Sequence, residues 1–568
     1  MDASIFRAHR KTVVASAISG MLLASRALAT TAGSAPVPEA PVAWGPCPAS
    51  WVGAGHGHGP LRDRLECGSM RAPYDHTAPD GRLMDIGVIR VRAGIAAQRE
   101  GSIFLHPGGP GDPPGQLLAS IARSWAGTGA GDSKRQLSDR FDLVAVIPRG
   151  LVGSTPIRCI TGLPPPYGHV PTHLDPINWE LMIAEATSVA RACTTPGHGR
   201  YINTEQYVHD MDMLRRALGD SRIHMYALSY GGMSAAWYAS MYPEHTGRML
   251  LDSSMDFTGD FVSAIRLSMM ARHFSIIDDV LVPLLDDTVR YGLVDDAQVV
   301  ISAIAALPSR IQEVWPWTDS GVQLAAALHV APLWRDGRPP TLDAMAARIR
   351  EVPAIPDTDL GRQVRSAALR LAGRMYEPAR IQPIYEVSAE SDSVRLIVSC
   401  NDMSGTRTDD EILQLARDDA SRYWSYTGDE TMEELICSRW GGTSARRPNL
   451  SNLAQATPFL LLQSEKDLAT PPDGARRIFE RFGNARMLLV RDSDLHGLFN
   501  FTRSFCLEDT AANYLLTGVI PASPSRLLAC DGSVGNGVPA IPTAPHASIS
   551  APVPVIPVDP PSSDRDEL

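Results

Sequence analysis

An apolar run, Ile223 to Leu228, passes directly into Ser229-Tyr230-Gly231-Gly232 and then into a small-residue segment, Gly231 to Met241. Six residues so bounded read as a buried strand, and the small-residue run behind them as a helix. A strand that becomes a helix within two or three residues needs small side chains, because the turn packs tightly against its neighbours. Gly231 and Gly232 supply that room, and Ala227 is the next smallest side chain. Such a turn lifts the Ser229 hydroxyl above a sheet and aims a helix N-terminus at whatever sits over it. A serine that merely caps a helix has the same local pattern, so the rest of the chain has to decide.

The surroundings alternate strand and helix. Ile86 to Val91, Ser102 to His106, Phe141 to Ile147, Arg248 to Leu251, Phe459 to Gln463 and Arg486 to Val490 read as strands. Gln206 to Leu218 and about Asp473 to Phe482 read as helices. The alternation predicts an α/β protein, a mainly parallel sheet with helices on both faces. From about Phe257 to Leu453 the pattern gives way to largely helical sequence. Its place between two strands predicts a large inserted cap over the sheet edge.

A serine hydroxyl is a weak nucleophile that needs a base, and the base needs an orienting acid. In a sheet of this kind they follow in the order Ser, acid, His. Asp467 follows the strand Phe459 to Gln463, and His496 follows the next strand, in Asp494-Leu495-His496-Gly497. Asp467 has rivals in Glu465, Asp473, Asp492, Asp494 and Asp252. Its turn before Thr470-Pro471-Pro472 favours it, and replacing Asp252 is expected to cost little. An oxyanion needs two backbone donors: the N–H of Tyr230 and one from the turn His106-Pro107-Gly108-Gly109-Pro110-Gly111, with Gly109 preferred and Gly108 second.

Together these motifs resemble the secreted α/β-hydrolases of the proline iminopeptidase and tripeptidyl aminopeptidase family. Pro107 to Gly111 resembles its oxyanion turn, Phe141-Asp142 to Pro148-Arg149-Gly150 with Ser154-Thr155-Pro156 its next strand and loop, and Ser229 to Gly232 its nucleophile. Asp467 with Thr470-Pro471 resembles its acid loop, His496-Gly497 its histidine, and Cys400-Asn401-Asp402 a motif at the end of its cap. Cys506 to Cys530 is similar to the C-terminal module of the tripeptidyl branch. Ala227, Ile147 and Val152-Gly153 depart from the pattern in turns near the site but replace no reacting group. The resemblance implies an α/β-hydrolase fold and a serine exopeptidase that removes N-terminal residues or short peptides. A carboxylesterase or lipase-like hydrolase is the alternative, and a non-catalytic binding protein a third. An aminopeptidase must pair the substrate ammonium with cap carboxylates, for which Asp402, Glu386 and Glu390 are the candidates.

The implied organisation is a signal peptide over 1–29, a linker over 30–42, a hydrolase core over 43–256 and 454–531, a helical cap over 257–453 and a Pro-rich disordered tail over 532–568. Arg7, His9, Arg10 and Lys11, the apolar Thr12 to Leu23 and the small-x-small Ala27-Leu28-Ala29 read as an export signal, so a secreted or periplasmic protein is expected. The terminal Arg565-Asp566-Glu567-Leu568 looks like a retention signal and is read as a chance acidic end. Eight cysteines in an exported chain suggest disulfides, and nearest-neighbour pairing gives Cys47–Cys67, Cys159–Cys193, Cys400–Cys437 and Cys506–Cys530.

The net charge of −11 argues against nucleic acid or anionic membrane as the partner, leaving a peptide or other acyl substrate. No cofactor or metal is expected. Gly127 to Lys134 lacks the Gly-Lys pair of a phosphate loop, and His56 and His58 have no further ligands near in sequence.

Overall fold

The computed structural model describes residues 41–53, 61–159, 174–308, 310–311, 320–335, 341–376, 390–403, 407–423, 428–441, 445–502, 504–520 and 523–532. The expected signal peptide, His56, His58, Glu386 and the tail beyond residue 532 lie outside them, as does nearly all of the expected linker.

Among the described residues, nine strands form one sheet: β1 (Leu65–Pro73), β2 (Leu83–Val91), β3 (Gly101–His106), β4 (Phe141–Val146), β5 (Ile223–Leu228), β6 (Thr246–Asp252), β7 (Phe459–Ser464), β8 (Ala485–Arg491) and β9 (Leu527–Asp531). Their order is β1-β2-β4-β3-β5-β6-β7-β8-β9. β2 runs antiparallel to β1 and β4, and every other neighbouring pair is parallel. Every residue of β3, β4 and β7 is buried, which is why these strands read as near-continuous apolar runs rather than alternating ones. β1 and β9 were not expected. Both are edge strands with mixed exposure, and neither has a strong periodic pattern.

After β3 the chain steps to β4 on one side, whereas β5 leads to β6 on the other. This reversal opens a crevice beyond the C-terminal ends of β3 and β5, the place where open parallel sheets gather ligands. Ser229 follows β5 and the glycine turn follows β3, so topology alone brings the two together.

Between β6 and β7 the chain is helical, as expected, from Phe261–Ser275 through Asp429–Ser438. Its apolar side chains divide. Val394, Ile397, Leu435 and Trp440 join the core of the sheet, while Leu284, Val330, Val364 and Leu371 close a second core of their own. The described insertion is therefore divided between the sheet core and a core of its own, with a small third cluster at Met269 and Ala416.

All four expected disulfides form. Cys400–Cys437 joins the helices Glu390–Asp402 and Asp429–Ser438. Cys506–Cys530 joins the helix Phe505–Thr517 to edge strand β9. In the chain-entropy model a loop of this length is worth about 3 kcal/mol. Changing Cys400 and Cys437 together to Ser should lower the melting temperature by several degrees, read by calorimetry. An unchanged transition would mean that packing alone holds these helices.

Candidate active site

Ser229 sits in the left-handed region, with φ of 57°. Backbone hydrogen bonds on both sides hold it there. Its N–H donates to Asp252 O at 2.9 Å, and its carbonyl accepts from Gly232 and Met255 at 3.0 Å each. The two glycines are required by contact. A Cβ on Gly232 would lie 1.9 Å from Ser254 Oγ, and one on Gly231 would lie 2.9 Å from His106 Cβ. Ala227 lies within β5, paired with His106 and Leu251, where its methyl is accommodated.

The turn after β3 touches the serine. A Cβ on Gly108 would stand 3.0 Å from Ser229 Cβ, and Gly108 and Gly109 have φ of 113° and 99°. The Gly108 N–H donates to His106 Nδ1 at 3.1 Å. That donor is spent, whereas the Gly109 N–H takes no acceptor within the described residues. The Tyr230 N–H, at the entry of the helix Gly231–Met241, takes none either. The preference for Gly109 over Gly108 thus acquires a physical reason in His106, a residue the sequence reading gave no role. His106 is buried against the rings of Tyr207 and Tyr230. Burial lowers its pKa to about 3, so the ring stays neutral and Nδ1 remains an acceptor.

His496 Nδ1 lies 3.0 Å from Asp467 Oδ2 and 3.2 Å from Oδ1. Asp467 is buried, and its carboxylate also accepts from the N–H groups of Ala469 and Thr470 at 2.9 and 3.0 Å. The Thr470 hydroxyl is shared between Asp467 Oδ2 and Ser253 O, at 3.0 and 2.8 Å. The Asp467 contact fixes the proton on Nδ1 and leaves Nε2 as the basic nitrogen. Burial works to lower the His496 pKa, but the hydrogen bond and charge of Asp467, with Asp252 and Asp112 adding, raise it overall.

No hydrogen bond joins Ser229 to His496. The two loops are connected through Ser253, whose Oγ accepts from the Gly497 N–H at 2.9 Å. Without substrate, a nucleophile–base contact of this kind is commonly open.

The rivals of Asp467 are engaged elsewhere. Asp473 pairs with Arg476, Glu465 accepts from the Asp492 N–H, and Asp492 and Asp494 are exposed. Asp252 is not the bystander that was expected. It is fully buried and accepts from the N–H groups of Leu498, at 2.9 and 3.1 Å, and Phe499, at 2.9 Å. The backbone immediately after His496 therefore hangs on this carboxylate, whose pKa burial pushes up to about 7.

A cavity of about 170 Å³ opens at Ser229, walled by Gly109, Phe261, Asp256, Arg272, Arg395 and Thr470 among others. Of the acids expected to bind an ammonium, neither Asp402 nor Glu390 lines it, and Glu386 lies outside the described residues. Asp402 is bound by the Thr204 hydroxyl and, at 3.1 Å, by the Thr204 N–H, and the same hydroxyl meets the Tyr230 phenol. Glu390 pairs with Arg158 at 2.8 Å. The sequence offered no sign of this, since partners in the insertion are chosen by tertiary packing.

Residues 101–284 match the alpha/beta hydrolase fold family and residues 424–527 match the family described as TAP-like protein. The chain is 25% identical over 505 residues to the tripeptidyl aminopeptidase of Streptomyces lividans, covering 84% of this chain and 85% of that protein. It is 23% identical over 508 residues to serine protease Hip1 of Mycobacterium tuberculosis (strain ATCC 25618 / H37Rv), covering 86% and 91%. Carboxylesterase B of Mycobacterium tuberculosis (strain CDC 1551 / Oshkosh) is 27% identical over 204 residues, covering 34% and 36%.

Two substitutions separate the roles of the carboxylates. Asp467→Asn should lower kcat by about 10⁴, the loss that a wrong histidine tautomer causes in serine proteases. Asp252→Asn should lower it by about ten- to a hundredfold, because its amide N–H groups face donors and shift the His496 loop. Steady-state kinetics on a chromogenic ester read both, and equal losses would mean that the two acids do not divide the work this way.

Proposed function

From a chain with the α/β-hydrolase fold, a TAP-like C-terminal region and relatives named as peptidases over most of its length, we propose a serine exopeptidase that releases residues or short peptides from N-termini. The observation that carries the reading is the His496–Asp467 hydrogen bond at 3.0 Å beside a left-handed Ser229 and the open Gly109 and Tyr230 donors.

In this mechanism the Ser229 hydroxyl attacks the acyl carbon and His496 Nε2 takes its proton. The carbonyl oxygen becomes an oxyanion held by the Gly109 and Tyr230 N–H groups. The imidazolium, stabilised by Asp467, returns the proton to the departing amine as the C–N bond breaks. Water then repeats the sequence on the acyl-enzyme and frees Ser229. The four disulfides suit an oxidising compartment, which supports export. The substrate is a peptide or other acyl compound, with no role for nucleic acid.

The esterase reading keeps the same residues. It is favoured by one observation: among the described residues the cavity at Ser229 is lined by Arg272 and Arg395, and its one lining carboxylate, Asp256, already has hydrogen-bond and ion-pair partners.

Ser229→Ala should abolish labelling by a fluorophosphonate and all turnover while leaving the melting curve intact. For a family of aminoacyl and peptidyl chromogenic amides, acetylating the substrate amine should cut kcat/KM at least about tenfold. Equal turnover of free and acetylated forms would falsify the aminopeptidase reading and favour the esterase.

The pH profile tests the base. His496 must be neutral to accept the proton, so activity is lost as pH falls through its pKa. With that pKa raised, the acid limb of kcat/KM should lie above the ordinary histidine value of 6.5, and a limb below it would contradict the Asp467 pairing.

A further inference from the structure

Among the described residues, the charged groups lining the Ser229 cavity are Asp256, Arg272 and Arg395. Asp256 is spent: its Oδ1 accepts from the Thr258 N–H at 2.8 Å and hydroxyl at 2.6 Å, and its Oδ2 faces Arg477 at 3.3 Å. The two arginines are not spent. Arg272 reaches Glu430 through one nitrogen at 3.1 Å, and Arg395 reaches Glu433 through one nitrogen at 2.7 Å. A guanidinium carries five N–H donors in a planar fork, so each retains most of its donors.

Both arginines are also held in place. Glu430 and Glu433, which hold the two guanidinium groups, lie on one helix, Asp429–Ser438. Arg272 rides on the helix Phe261–Ser275, which is tied to the Asp467 loop by the Ser268 hydroxyl donating to Leu468 O at 2.7 Å. Arg395 rides on Glu390–Asp402, which touches the turn after β3: a Cβ on Gly111 would lie 3.1 Å from Arg395 N and 2.6 Å from Ser391 O. Each cation is thus coupled to one half of the reacting machinery, Arg272 to the acid loop and Arg395 to the oxyanion turn. Two arginines with unspent donors, lining a cavity whose other walls include Met255, Phe261, Ile265 and Leu267, have the chemistry that recognises a carboxylate.

We propose that the Ser229 cavity binds a substrate carboxylate through Arg272 and Arg395, so that its preferred substrates are short anionic peptides. The proposal rests on the hydrolase reading above and adds the substrate class. The carboxylate can belong to an acidic side chain on the acyl part or to the free C-terminus of the departing part, and matched substrates distinguish the two. One pair is peptidyl p-nitroanilides ending in Glu or Gln. The other is a neutral tripeptide as free acid or as carboxamide. One pair should favour the anion at least about tenfold in kcat/KM, and the pair that does so identifies the source. Arg272→Gln or Arg395→Gln should bring that ratio close to one, and Arg395→Lys should keep most of it. Parity in both pairs, or a preference unchanged in both glutamine variants, overturns the proposal.

A measurement on the unaltered protein guards against variants that fail to fold. Glutarate should slow fluorophosphonate labelling of Ser229 and bind in a calorimetric titration, and glutaramide should do neither. Labelling that glutarate does not slow, with no heat of binding, overturns this proposal and leaves the hydrolase reading standing. If Ser229 does not label at all, the hydrolase reading fails, and glutarate binding that is lost in Arg272→Gln decides the carboxylate site by itself.

Discussion

Ser229 occupies a backbone conformation that side chains other than glycine's avoid, at a cost of about 1–3 kcal/mol. The surrounding structure is arranged to hold it there. β6 contributes the Asp252 carbonyl, the segment beyond β6 contributes the Met255 N–H, and the following helix contributes Gly232. The turn after β3 comes close enough that Gly108 has no space for a Cβ. Apart from the local Gly232 bond, these contacts require the strand order in which β5 lies between β3 and β6. The sheet, the glycines and the serine therefore form one constraint.

A second set of buried charges fixes the loop after β4. Arg149 is almost wholly buried and bound bidentately to Asp210, at 2.6 and 2.8 Å, while donating to the carbonyls of Pro73, Tyr74 and Tyr201. It joins the end of β1 and the helix Thr204–Ala217 to the loop after β4. An ion pair so buried is stabilising only with all its partners present, and removing one leaves an uncompensated charge. The change to Ile147 just before Pro148-Arg149-Gly150 leaves this network intact, since Ile147 packs in the core and takes no part in it.

What the sequence made legible was local. The strand Ile223–Leu228, the helix Gly231–Met241 and the nearest-neighbour disulfides are all as expected, because each is decided within a few dozen residues. The Asp467–His496 pair was legible because both follow strand ends, and parallel strands bring such ends to one edge. What distinguishes Gly109 from Gly108 is the side chain of His106, two residues before Gly108, which takes up the Gly108 N–H. Asp252 looked dispensable because its partners, Leu498 and Phe499, lie far along the chain. The partners of two of the cap acids were hidden for the same reason: Glu390 finds Arg158 and Asp402 finds Thr204, both set by tertiary contact alone.

The separate apolar cluster in the insertion has a consequence for motion. Leu284, Val330, Val364, Leu371 and their neighbours bury one another without sharing the core of the sheet. A segment with its own core can open as a cooperative unit, at a free energy below that of global unfolding. Amide protons in the helices Gly321–Arg335 and Asp359–Tyr376 would then exchange together and ahead of those in β3, β5 and β7. Such a subunit of folding can also drift in sequence faster than the sheet, because changes in its packing are absorbed locally. Evolution can reshape that part of the insertion while the turn that strains Ser229 stays fixed.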